Sequence, residues 1–123
     1  MGAWGEGIFE NDNAMDFLGD FIDEFEDSFE SYFSEPIEDD IDFSINYEGS
    51  VGPLITLLNV ICKNTPASPP EPEKITKWKQ MFFKEFDKYT VESWGKESSG
   101  IRKKLFEKEF DELISYSKEY YKD

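Results

Sequence analysis

Four aspartates, Asp16, Asp20, Asp23 and Asp27, follow one another at intervals of four, three and four residues, the spacing that brings side chains onto one side of an α-helix. Carboxylates so placed can do two kinds of chemistry. They can supply hard oxygen ligands to Mg²⁺ or Ca²⁺, or present a negative strip to a cationic surface. The first use needs a second element, because the side of a helix is convex and aims too few oxygens at one point. The run Glu38-Asp39-Asp40-Ile41-Asp42 is the element available for it. A Ca²⁺ loop with central Gly and terminal Glu does not occur. The metal alternative is a carboxylate-based divalent-metal-binding or hydrolytic domain using Asp12, Asp16 and residues 38–42.

Other chemistries are closed by composition. The chain has no His and one Cys, which removes nucleophile–histidine pairs and the usual nitrogen and sulfur ligands of structural zinc. Cys62 lies in an apolar stretch and reads as a small core residue, not as a reactive thiol. No residue pattern asks for a cofactor. The balance favours a non-enzymatic binding protein.

Charge is distributed unevenly. The 123 residues carry a net charge of −15, and residues 1–62 hold 16 of the 28 acids and none of the 13 bases. That half carries −16, and the other, with 12 acids against 13 bases, carries +1. Phosphate backbones and anionic lipid both ask for positive surface, so no nucleic acid and no membrane partner is expected. The opening residues hold no base and no long apolar run, and Glu6 stands where a myristoylation signal needs Ser or Thr. Residues 51–62 are interrupted by Gly52, Pro53, Thr56 and Asn59, far short of the roughly 20 apolar residues that cross a bilayer. A soluble cytoplasmic protein is expected. Unit charges about 6 Å apart repel by roughly 0.7 kcal/mol even in bulk water, so something should offset the acids: the chain's own Lys77, Lys84 and Lys88, or a basic protein partner.

The elements that must hold these groups are read from hydrophobic spacing. Asn11, Asp12 or Asn13 can cap a helix running to about Phe33. Along it Phe17, Leu18, Phe21, Ile22, Phe25, Phe29 and Phe33 form one broad apolar side, opposite the acids. Glu35-Pro36 ends it. Ile41, Phe43, Ile45 and Tyr47 alternate with polar residues and predict a short extended segment over the core. Residues 54–62, with Pro53 in the first turn, predict a central helix surrounded on all sides, with a buried strand as the alternative that their β-branched residues leave open. Residues 64–72 contain four prolines and predict a stiff surface link between helices. Ile75, Trp78, Phe82, Phe86 and Tyr89 predict a further helix, Gly95 and Ser98-Ser99-Gly100 a break, and Phe106, Phe110, Leu113, Ile114 and Tyr121 a last helix. Arg102, Lys103, Lys104 and Lys108 near its start oppose the helix macrodipole, so they should serve some other contact. The fold class is all-α, one domain over residues 1–123, a compact bundle of about four helices with a Gly-rich N-terminal plug.

The first residues carry a dense motif. Gly2, Ala3, Trp4, Gly5, Gly7, Phe9, Asn11, Asp12, Ala14 and Asp16 fit a pattern that resembles the small bacterial family known as domain of unknown function 4259. Phe17 departs from it where members often have Trp. The resemblance implies a compact helical domain and supplies no activity. Physically, the three glycines let the chain pass close to a neighbour, and Trp4 and Phe9 can plug the open end of the core. Gly5-x-Gly7 as a ligand cradle is disfavoured, since Glu6, Glu10, Asp12 and Asp16 would repel phosphate.

The expected contact surface is Asp20, Asp23, Asp27, Glu30, Asp39, Asp40 and Asp42, with Tyr32 and Tyr47 as aromatic anchors. The sharpest form of this expectation is an immunity-type or antitoxin-type inhibitor that sets carboxylates where a basic toxin would bind phosphates.

Overall fold

The computed structural model describes residues 5–122, and of residues 90–96 the backbone alone. Helix α1 spans Asp12–Ser34, and Asn11 is its cap: extended at φ −155°, ψ 156°, it accepts a hydrogen bond at Oδ1 from the Ala14 amide at 2.8 Å. Asp12 places an acid in the first turn, where the helix dipole favours it. Glu35, extended before Pro36, closes the helix where the sequence requires it.

The expected extended segment is helical instead. Residues Asp40–Phe43 form a short α2, capped by Asp39 Oδ1 on the Asp42 amide at 2.7 Å, and Ser44–Glu48 continue as a π-turn. The pattern Ile41, Phe43, Ile45, Tyr47 fits two spacings at once. Taken four apart, Phe43 and Tyr47 point into the core, while Ile41 and Ile45 point to water. The Asp39 cap favours the helical alternative. At the end of the π-turn the Gly49 amide donates to the Ser44 carbonyl at 2.8 Å, and a Cβ on Gly49 would lie 2.9 Å from that same oxygen. Only glycine closes the turn without moving backbone.

Helix α3 spans Val51–Asn64. Val51, Ile55 and Leu58 are fully buried, but Leu57 and Val60 are half exposed, so α3 is not surrounded on all sides as its apolar composition suggested. The proline link after it is likewise corrected. It is not merely a surface strap, because Ala67, Pro69 and Pro70 are buried. Ser117 and Tyr121 donate hydroxyl hydrogens to the Pro70 and Pro69 carbonyls, and Ser68 and Tyr120 share a hydrogen bond.

Helix α4 spans Pro72–Tyr120, with Pro72 at its first turn. Drawn straight, it would set Phe82 and Phe110 about 42 Å apart at 1.5 Å per residue; their ring centroids lie 5.5 Å apart. The run therefore doubles back between Asp87 and Lys103, which pair at 2.9 Å, giving an outgoing and a return arm. Of the expected break, Ser98, Ser99 and Gly100 are themselves helical, and Gly95 lies outside the residues whose side chains are described.

Phe82 is the hub of the core. Its ring meets Phe43, Tyr47, Phe86, Phe106 and Phe110 at centroid distances of 5.0–6.0 Å. Trp78 ties α1 to α4, stacking on Phe29 at 4.5 Å. Four helices pack on one apolar cluster, with no strand among the described residues. None of these helices is long and apolar enough to cross a membrane.

Candidate functional site

The two halves of α1 part company at about Phe25. Beyond it Phe29 and Phe33 are buried; before it Phe17 is 67% and Phe21 40% exposed. These two rings belong to the expected apolar side of the helix, yet they stand at the edge of the buried stripe. Their centroids are 6.1 Å apart, and Phe21 lies 5.4 Å from the half-buried Phe25, so three rings form a ridge that climbs out of the core into water. On the helical wheel Asp20 and Glu24 flank the ridge, with Asp16, Asp23 and Asp27 behind them.

The aspartate ladder is exposed along its whole length. Among the described residues no ion pair joins Asp16, Asp20, Asp23 or Asp27 to a base. Lys77, Lys84 and Lys88 do not meet it. The α1 acid that finds a lysine is Glu26, 3.2 Å from Lys74, whose pKa the hydrogen bond and the carboxylate charge push up. Glu30, expected at the contact surface, instead accepts the Trp78 indole N–H at 3.1 Å. It works for the fold.

The second acidic group is separate. Asp39 caps α2, and Asp42 accepts from the Glu38 amide at 3.0 Å and from the Asn46 side chain. Asp40 is exposed beside them. Tyr32, Glu35, Ile37 and Asp42 line a cleft of about 460 Å³. It lies about 18 Å along α1 from Asp20, at 1.5 Å per residue, so ladder and loop do not build one site. Tyr47 is no surface anchor. It is buried between Phe33 and Phe82, and its hydroxyl pKa rises to about 12, by burial first and then by Glu85 and Asp42. Among the described residues no three carboxylates converge so as to hold a metal ion.

The family model of a domain of unknown function, DUF4259, matches residues 2–94, most of the chain. The chain belongs to the DUF4259 family. No curated protein and no solved structure matches it. Within the DUF4259 motif, Gly2, Ala3 and Trp4 lie outside the described residues. Phe9 packs half-buried on the core. The Glu10 amide donates to the Gly7 carbonyl at 3.1 Å, and the Glu10 carboxylate folds over Gly5 and Gly7. A carboxylate already fills the place where a phosphate cradle would open. Asn11 and Asp12 start α1, Ala14 receives the cap, and Asp16 opens the ladder.

One feature of this DUF4259 chain escaped sequence reasoning. Between α3 and the return arm of α4 runs a groove of about 640 Å³, lined by Gly52, Pro53, Leu57, Leu105, Phe106 and Lys108. A Cβ on Gly52 would lie 2.4 Å from the Phe106 ring, so glycine is what lets that ring floor the groove. Glu48 pairs with Arg102 at one side, and Asn59 donates to the Glu109 carboxylate at 3.2 Å. The signal was present: residues 49–70 contain no acid in a chain with 28. Cys62 lies elsewhere, half-buried, its pKa raised to about 11 by burial alone. At neutral pH it is a thiol, not a nucleophile.

Proposed function

We propose that this protein is a non-enzymatic binding protein that presents the exposed side of α1 to a basic protein partner in the cytoplasm. One observation carries the reading: the exposed Phe17 ring and the partly exposed Phe21 ring stand beside four exposed aspartates that, among the described residues, form no ion pair. Aromatic rings supply the apolar anchor of an interface, and the carboxylates steer a cationic surface onto it and set its orientation. Asp39, Asp40, Asp42 and Tyr32 form a second, weaker contact region at the far end of the helix. In its sharpest form the protein is an immunity-type or antitoxin-type inhibitor whose ladder occupies the phosphate-binding surface of a basic toxin.

The test is titration against the purified product of the adjacent reading frame where that product is basic. A 1:1 complex whose affinity falls with salt is expected. Replacing Asp16, Asp20, Asp23 and Asp27 by Asn should slow association, and Phe17→Ser with Phe21→Ser should speed dissociation. Absence of a complex, or a complex indifferent to both sets of changes, would overturn the reading.

A further inference from the structure

We infer that the cavity between the end of α3, the proline link and the last turns of α4 binds a small quaternary ammonium compound. About 310 Å³ in volume, it is walled by Cys62 of α3, by Pro66 and Pro69 of the link, and by Tyr116, Glu119 and Tyr120 of α4. That volume stands at the lower end of the range for small-molecule sites. None of these residues belongs to α1, so the inference is independent of the function proposed above.

Charge decides the sign of the ligand. Among the described residues that line the cavity, Glu119 alone is charged, and its carboxylate forms no ion pair with a described base. Lys118, its neighbour in sequence, lines the next cavity instead, with Glu71 and Glu73. Cys62 adds no charge, because burial raises its pKa to about 11 and it is a thiol at neutral pH. The prolines of the link have no amide hydrogens to offer an anion. A cation is the complementary ligand, and tyrosine rings attract cations over their faces as well.

Hydrogen bonding decides its kind. The polar atoms of the walls are largely engaged within the chain. The Thr65 hydroxyl donates to the Ile61 carbonyl at 2.7 Å and accepts from the Ala67 amide at 3.3 Å. The Pro69 carbonyl accepts from the Tyr121 hydroxyl at 2.9 Å, and the Tyr120 hydroxyl is paired with Ser68 at 2.6 Å. A primary ammonium would be left short of acceptors for its N–H groups, and a buried donor without a partner is costly. A quaternary ammonium has no N–H to satisfy, and its methyl groups suit walls of proline and tyrosine. The same bonds fix the walls before a ligand arrives, with the fully buried Ser117 holding the Pro70 carbonyl at 2.5 Å.

The experiment is an NMR titration of the ¹⁵N-labelled chain with choline chloride to about 20 mM at constant ionic strength, read at the amides of Cys62, Ala67 and Tyr116. Two analogues run beside it: 3,3-dimethylbutan-1-ol, in which carbon replaces the charged nitrogen, and ethanolamine, in which hydrogens replace the methyl groups. Choline should give saturable shifts at those amides, with a Kd about tenfold below that of either analogue. Glu119→Gln, a change at an exposed residue, should weaken choline binding several-fold with an unchanged circular dichroism spectrum. Tyr116→Leu, which keeps an apolar wall and removes the ring, should weaken it too; if that variant does not fold, Glu119→Gln and the analogues still decide. Choline shifts that do not saturate, or that fall elsewhere on the chain, overturn the inference. So do equal affinity for the neutral analogue, which marks an apolar cavity only, equal affinity for ethanolamine, which marks unselective cation attraction, and full choline affinity in Glu119→Gln.

Discussion

The two halves of α1 are made of the same material. Phe17 and Phe21 in one, Phe29 and Phe33 in the other, are phenylalanines four apart with acids behind them, yet the first pair is partly exposed and the second is sealed in the core. What differs is the opposite wall. Trp78 and Tyr47 meet the second pair, whereas the rings that meet the first belong to α1 itself. An amphipathic stripe thus states which side of a helix wants cover; the neighbouring element decides how much of it is covered.

This contrast can be broken by substitution. Phe29→Ala should cost about 3–5 kcal/mol in urea unfolding, and Phe17→Ala within about 0.5 kcal/mol. Equal losses would mean that the ridge is part of the core. Gly52→Val, which drives a branched side chain into the Phe106 ring, should cost about 1–3 kcal/mol by the same measurement and reshape the groove. A smaller effect concerns Tyr47. Burial favours its neutral form, with a folded pKa of about 12 against an ordinary value of 10.0. Between those pH values the unfolded chain releases this proton and the folded chain keeps it, so the Tyr47 contribution to stability is intact below pH 10 and is lost as pH rises toward 12. Thermal melts should show a decline over that window that is shallower in Tyr47→Phe. A change of the opposite sign is expected at the ladder. Replacing its four aspartates by Asn removes three like-charge neighbours and should stabilise the fold by about 0.2–0.5 kcal/mol per pair at low salt, the opposite of what a structural acid cluster would show.

Much of the fold was legible because local chemistry and packing agree. Asn11 caps α1, Pro36 ends it, and Ile75, Trp78, Phe82 and Phe86 are buried as their spacing requires. The reading of residues 41–47 went astray because a short segment satisfies two periodicities at once, and only the Asp39 cap separates them. Arg102 and Lys103, oddly placed for a helix dipole, are explained by Glu48 and Asp87, partners distant in sequence that spacing alone does not reveal. In the candidate site, the four aspartates of the ladder are exposed. Tyr47 is buried in the core, and Glu30, Asp39 and Asp42 each also make a tertiary or capping contact. The groove was invisible because its existence depends on the return arm lying beside α3.

The doubled-back α4 also implies an order of assembly. Asp87 and Lys103 are 16 residues apart, Phe86 and Phe106 are 20, and Phe82 and Phe110 are 28, so each contact shortens the loop the next one must close. Entropy charges little for every step of such a zipper, whereas α1 must arrive from far along the chain. The hairpin should accordingly be the folding nucleus, with φ-values high at Phe106 and Phe110 and low at Phe29.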